Sequence, residues 1–144
     1  MEENVTLKET AQYVNIWVDK TILIAEDIEL NYLYLQGLFK STGASVIRAQ
    51  NGKEAVIQCM NNPKIDIVLM DLMMPEMNGY EATRQIKILR QDLPVIAQTA
   101  YVMSDDRIHA TKAGCDDFIA KPINKDELFK KMNQLLQQKK GGLS

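Results

Sequence analysis

The sequence predicts an α/β domain built on a doubly wound, parallel five-stranded sheet, because from Thr21 onward short aliphatic runs alternate with longer amphipathic stretches. Turn-forming residues punctuate the pattern: Ser41-Thr42-Gly43, Asn51-Gly52, Asn61-Asn62-Pro63 and Asn78-Gly79 all fall between periodic segments. Each right-handed crossover covers one face of a sheet, so five strand-helix units of this size would fill both faces. We take the strand order to be 2-1-3-4-5, with function gathered beyond the carboxyl ends of the strands where the order reverses.

The first strand is expected over 21–25, where Ile22-Leu23-Ile24 is uninterrupted and reads as buried on both faces, and a helix over 29–40 follows. That helix offers two apolar stripes, Tyr34-Leu35-Leu38 and Leu30-Leu33 with Gly37, although one suffices to pack on a sheet. The surplus points to a docking surface. A second unit spans a strand over 44–48 and a helix over 52–61. The third strand, 65–70, is also double-buried and leads to a helix over 79–90. The fourth, 94–98, shares that character, and its helix over 104–113 starts at Ser104, a candidate N-cap. A fifth strand over 117–120 precedes Asn124, a second candidate cap, and a last helix over 125–138. Residues 1–20, with Tyr13, Ile16, Trp17 and Val18 as their sizeable apolar group, read as a linker able to dock, and 139–144 as a flexible tail.

A chain of 144 residues fits one domain, here 21–138. Its most apolar stretch, 65–75, is broken by Asp66 and Asp71 and is far shorter than a bilayer span. The acidic start, with Glu2, Glu3 and Glu9, does not fit a secretory signal, so cytoplasmic residence without membrane contact is expected. A net charge of -2 argues against direct nucleic-acid binding. Cys59 and Cys115 lack metal-ligand spacing and read as two buried thiols, and His109, among charged residues, as a surface residue.

The chemistry lies at the strand ends. The first strand ends in Glu26-Asp27 and the third in Asp71, which delivers three carboxylates to one edge of the sheet. Clustered acids with room for water suit a hard divalent cation such as Mg²⁺. Thr99 ends the fourth strand and Lys121 the fifth. A phosphoryl group on Asp71 would need a cation and a hydrogen-bond donor, and these two residues supply them.

Across 21–138 the chain resembles the receiver domains of two-component response regulators, on Ile22-Leu23-Ile24-Ala25-Glu26-Asp27, on Asp66-Ile67-Val68-Leu69-Met70-Asp71-Leu72-Met73-Met74-Pro75 with Asn78-Gly79, on Thr99-Ala100 and on Lys121-Pro122. The resemblance also supports the flavodoxin-like order 2-1-3-4-5. It implies that Asp71 attacks the phosphorus of a phosphohistidine on a histidine kinase or histidine phosphotransfer domain and becomes an acyl phosphate. Such a domain assists its own phosphorylation and dephosphorylation without being an enzyme. Mg²⁺ would be held by Asp27, Asp71 and the backbone carbonyl of Met73, with Glu26, where many relatives have Asp, acting through water. Thr99 and Phe118 would be the switch residues, Phe118 lacking the hydroxyl found in many relatives, and Lys121-Pro122 a cis peptide. In relatives the first helix meets the phosphodonor. Asn31 and Lys121-Pro122-Ile123 look most like receivers attached to hybrid sensor histidine kinases, with a stand-alone single-domain regulator as the alternative. Met73 and Tyr101 are expected to overhang the crevice and slow hydrolysis.

Two other classes compete. A haloacid-dehalogenase-type phosphatase would need a second Asp two residues beyond Asp71, where Met73 stands. An FMN carrier would need a hydroxyl- and Gly-rich phosphate loop where Glu26-Asp27 would repel the cofactor.

Overall fold

The computed structural model describes residues 12–100 and 104–141. Five parallel strands, β1 (Thr21–Ala25), β2 (Ser45–Ala49), β3 (Ile67–Asp71), β4 (Val95–Thr99) and β5 (Asp117–Ala120), form one sheet in the order β2-β1-β3-β4-β5. The helices are α1 (Glu29–Phe39), α2 (Gly52–Asn61), α3 (Gly79–Leu89), α4 (Ser104–Ala113) and α5 (Lys125–Gly141). The predicted fold class and strand order are those observed.

Alternation along the strands splits the core in two. Leu23, Val68, Val95 and Ala97 face a layer that includes Ala55, Cys59, Ala82, Ile86 and Ala110, while Ile22, Ile24, Leu69, Ile96 and Ile119 face Leu35, Phe39, Phe129 and Met132. All residues of β3 and β4 are buried, and all of β1 beyond Thr21, as their uninterrupted apolar runs imply. The edge strands β2 and β5 are only partly buried.

β2, β4 and the end of α3 shift by one residue from expectation, and three further boundaries differ for local reasons. β3 starts at Ile67 because the Ile65 amide bonds back to the Asn62 carbonyl, and the Asp66 carboxylate accepts the Thr21 N–H at 2.8 Å, closing the entry to the sheet. α1 gives way to a 3-10 turn, Lys40–Thr42, in which the Thr42 hydroxyl donates to the Phe39 carbonyl at 2.6 Å. α5 continues to Gly141, so the start of the expected tail is helical. Asn124 caps α5 by accepting the Glu127 N–H at 2.9 Å, and Asn51 and Asn78 cap α2 and α3 in the same way. Ser104 opens α4 as its first residue.

The segment before β1 docks firmly. Trp17 and Tyr13 are buried against Phe39 and Phe129, with Trp17 and Phe129 centroids 5.0 Å apart and Tyr13 edge-on to Phe129 at 4.8 Å. The Trp17 indole N–H donates to Asn133 at 3.2 Å and the Tyr13 hydroxyl to Asp126 at 2.9 Å, so the polar tip of each ring is met as its body is buried. Tyr13→Phe keeps the ring and removes that hydroxyl. We expect urea denaturation to show a loss of about 1 kcal/mol; an unchanged midpoint would mean that the hydroxyl adds nothing to the docking.

Candidate functional site

Parallel register brings the strand ends level. Ala25 pairs with Ala49 and Met70, Asp71 with Gln98, and Thr99 with Ala120, so Glu26, Asp71, Thr99 and Lys121 reach the same rim. The loop after β3 is held down by Gly79, whose amide donates to the Leu72 carbonyl at 3.1 Å. A Cβ on Gly79 would run into the backbone of Asp71 and Leu72, so only glycine lets α3 begin this close to the site.

One carboxylate oxygen from each of Glu26, Asp27 and Asp71 lies within 4.8 Å of the others. Lys121 Nζ sits 3.3 Å from Asp71 Oδ2 and 3.5 Å from Glu26 Oε2. The Met73 amide donates to Asp71 Oδ1 at 3.1 Å, and Asn31 Nδ2 to Glu26 Oε1 at 3.2 Å. Glu26 and Asp71 are buried and Asp27 half-buried. Three carboxylates thus face one ammonium, and the excess negative charge in an oxygen-rich corner fits a hard divalent cation.

Burial pushes the Glu26 pKa up from its ordinary value, the neighbouring Asp71 carboxylate raises it further, and the Asn31 hydrogen bond and Lys121 pull it back only in part. Folding therefore disfavours the charged form of Glu26. The resulting destabilisation is present above the raised pKa and is relieved as pH falls toward the ordinary value of 4.5. Glu26→Gln is accordingly expected to melt higher than the parent protein at neutral pH without divalent ions, with the advantage gone below about pH 4.5. A variant that melts lower at pH 7 would show that the Lys121 pairing outweighs desolvation.

A family model described as the response regulator receiver domain matches residues 22–133. The chain is a member of that family. The response regulator SaeR of Staphylococcus aureus is 36% identical over 119 residues, which are 83% of this chain and 51% of SaeR, so the chain spans about half the length of the curated relatives it matches. The magnesium-bound receiver domain of the Pseudomonas aeruginosa sensor histidine kinase PA1611 superposes with a TM-score of 0.76 at 31% identity, covering 82% of this chain and 98% of that one. The Saccharomyces cerevisiae Ssk1 receiver domain, in complex with the histidine phosphotransfer protein Ypd1, gives a TM-score of 0.73 at 29% identity over 78% of this chain and 86% of that one.

The receiver's remaining predicted residues are placed as follows. Thr99, buried at the end of β4, accepts the Lys121 N–H through its carbonyl at 2.8 Å. Thr99 and Phe118 line one narrow crevice with Leu72, Asp106, Arg107 and Ala110, and the half-buried Phe118 ring carries the Arg107 guanidinium 4.8 Å over its centre. The Lys121-Pro122 peptide is cis. The Met73 side chain is 76% exposed. Tyr101 lies outside the described residues.

Two residues contribute contacts that the sequence does not predict. Arg48 of β2 donates from Nε to the Glu26 carbonyl at 3.2 Å and from a terminal nitrogen to the Asp27 carbonyl at 3.3 Å, fixing the backbone that carries both acids. Its signal was a charge breaking an apolar run at the end of the second strand. Asn31, which carries part of the family resemblance, also bonds to Glu26, a contact its sequence position does not predict. His109 is exposed, and the two cysteines are free and buried, their thiols pushed up to about 11 by burial. No helix among the described residues is long and apolar enough to cross a membrane.

Proposed function

We propose that Asp71 is the phosphoacceptor of a phosphorelay, taking a phosphoryl group from a phosphohistidine on a histidine kinase or histidine phosphotransfer domain. The carrying observation is the Lys121 ammonium held against Asp71 and Glu26 at the rim where three carboxylates converge. An Asp71 carboxylate oxygen attacks phosphorus in line. The P–N bond breaks, and the imidazole leaves with the electron pair and takes up a proton. Lys121 pairs with a phosphoryl oxygen once the new acyl phosphate displaces its present contact, and the Thr99 hydroxyl donates to another. Phe118 then turns inward along the crevice it shares with Thr99.

Asp27, Asp71 and the Met73 carbonyl would hold Mg²⁺, with Glu26 acting through water. The ion would offset negative charge shared between Asp71 and the incoming phosphoryl oxygens. Positioning and charge neutralisation therefore supply most of the rate. The same site in a receiver segment of a hybrid sensor histidine kinase or in a single-domain regulator would work alike, and we favour the hybrid context.

On α1 and just before it, Ile28, Leu30, Leu33 and Tyr34 are about half or more exposed, which matches a helical phosphodonor packing beside Asp71. In the yeast neighbour the receiver domain is captured with its histidine phosphotransfer protein. Leu30→Asp is expected to slow transfer from a radiolabelled phosphohistidine phosphotransfer domain about tenfold while leaving labelling by acetyl phosphate unchanged. Equal rates from the protein donor in parent and variant would remove α1 from the docking surface. Failure of both donors to label the parent protein would overturn the phosphoacceptor reading itself.

A further inference from the structure

Arg48, on the edge strand β2, directs a half-buried guanidinium at two backbone carbonyls. Its Nε donates to the Glu26 carbonyl at 3.2 Å and its Nη2 to the Asp27 carbonyl at 3.3 Å. At the other end of the same residue, the Glu26 N–H donates to the Ala49 carbonyl at 3.0 Å, so the turn from β1 into α1 is stitched to β2 at two successive residues. The guanidinium also lies over the Tyr32 ring in the first turn of α1, 5.1 Å from its centre. Carbonyls do not neutralise a cation as a carboxylate does, and the ion pairs of Glu26 and Asp71 come from Lys121. A charge held this way contributes geometry more than neutralisation, because a planar fork meets two carbonyls of one turn at once.

We propose that Arg48, steadied by Tyr32, is the positioning residue of the divalent-cation corner. The inference rests on the reading of Glu26, Asp27 and Asp71 as a Mg²⁺ site. A free peptide carbonyl is itself a hard oxygen ligand and can turn toward a cation. With both carbonyls tied to Arg48, the backbone of the turn is fixed and the side chains of Glu26 and Asp27 reach the corner, where one oxygen of each lies within 4.8 Å of the other and of Asp71. Asn31 directs the Glu26 side chain by donating to Oε1 at 3.2 Å, and the Arg48 tie directs Asp27 through its backbone. Ligands already in place need not be ordered when the ion arrives. A purely electrostatic influence of Arg48 has the opposite sign, since a nearby positive charge opposes Mg²⁺. The two effects therefore separate by experiment.

Mg²⁺ titrated calorimetrically into the full chain is expected to bind Arg48→Met about tenfold more weakly than the parent, the usual scale for losing a group that orients metal ligands. Arg48→Lys keeps the charge without the fork and should weaken binding to a similar extent, and Tyr32→Leu about threefold. The fold of each variant is checked by its ion-free thermal melt. Labelling by acetyl phosphate gives a second readout: the half-saturating Mg²⁺ concentration should rise by the same factor while the rate at saturating Mg²⁺ stays near the parent's, a split that loss of folded protein does not produce. Unchanged or tighter binding in folded Arg48→Met, or parent-like binding in Arg48→Lys, would overturn the role of Arg48. Should the Arg48 variants fail to fold, Tyr32→Leu decides, and unchanged affinity there overturns the proposal. A parent protein that binds no Mg²⁺ would instead overturn the metal site itself, and this proposal with it.

Discussion

Asp71→Asn is expected to abolish the single phosphoryl adduct that acetyl phosphate and Mg²⁺ place on this chain, as read by intact-mass spectrometry. An amide oxygen is a far weaker nucleophile than a carboxylate, and the neighbouring acids are poorly set to replace it. Glu26 is fully buried, accepts from Asn31 and faces Lys121, so reaching an incoming phosphorus would mean breaking both contacts. Asp27 is more open, but it stands one residue beyond Glu26 on a backbone that Arg48 fixes through the carbonyls of both. The Asn side chain keeps the size of Asp71 and can still face Lys121, so the variant should remain folded. Persistence of the same adduct in Asp71→Asn would sink the assignment.

The second large effect concerns the cation. Asp27→Ala is expected to weaken Mg²⁺ binding at least about 100-fold by calorimetric titration, whereas Glu76→Ala should leave it nearly unchanged. Two unit charges about 4 Å apart near a protein surface attract by about 4 kcal/mol before further screening. Asp27 is half-buried, and even after a generous allowance for solvent the loss of one carboxylate against a divalent ion is about 2.7 kcal/mol, which is the 100-fold quoted. Asp27 shares the three-carboxylate corner, while Glu76 lies exposed on the loop after β3 with φ 65° and is absent from that cluster. Equal affinities in the two variants would remove Asp27 from the coordination sphere.

The stability arm of Glu26→Gln and the Mg²⁺ arm should move in opposite directions. Removing the buried charge stabilises the ion-free protein, while losing a group that acts on the ion through water costs about 10- to 100-fold in affinity. Burying this acid is costly in the ion-free domain, and a cation in the proposed site would offset that cost.

Much of this was legible in the residues alone. β1 and β5 match their expected bounds, as do α2 and α4, because Gly, Asn and Pro punctuate the chain and short apolar runs cannot sit in water. Acids, a hydroxyl and a lysine at successive strand ends must share a rim once the strands are parallel, since each strand then ends on the same side of the sheet. Chemistry at strand ends is therefore readable from order and spacing. What tertiary structure decided is everything that depends on which side chains converge across the sheet. Residues 12–20 offer Tyr13 and Trp17 as part of an apolar group able to dock, but where they dock is settled by Phe39 and by α5 residues more than a hundred positions away. Arg48 reads in sequence as an edge-strand charge and becomes a brace for Glu26 and Asp27 only when β2 lies beside β1. Gln98 reads as one polar residue in a buried strand. Whether its carboxamide finds partners is decided by the elements packed over β4, for satisfaction of a hydrogen bond is a property of the surroundings and not of the residue.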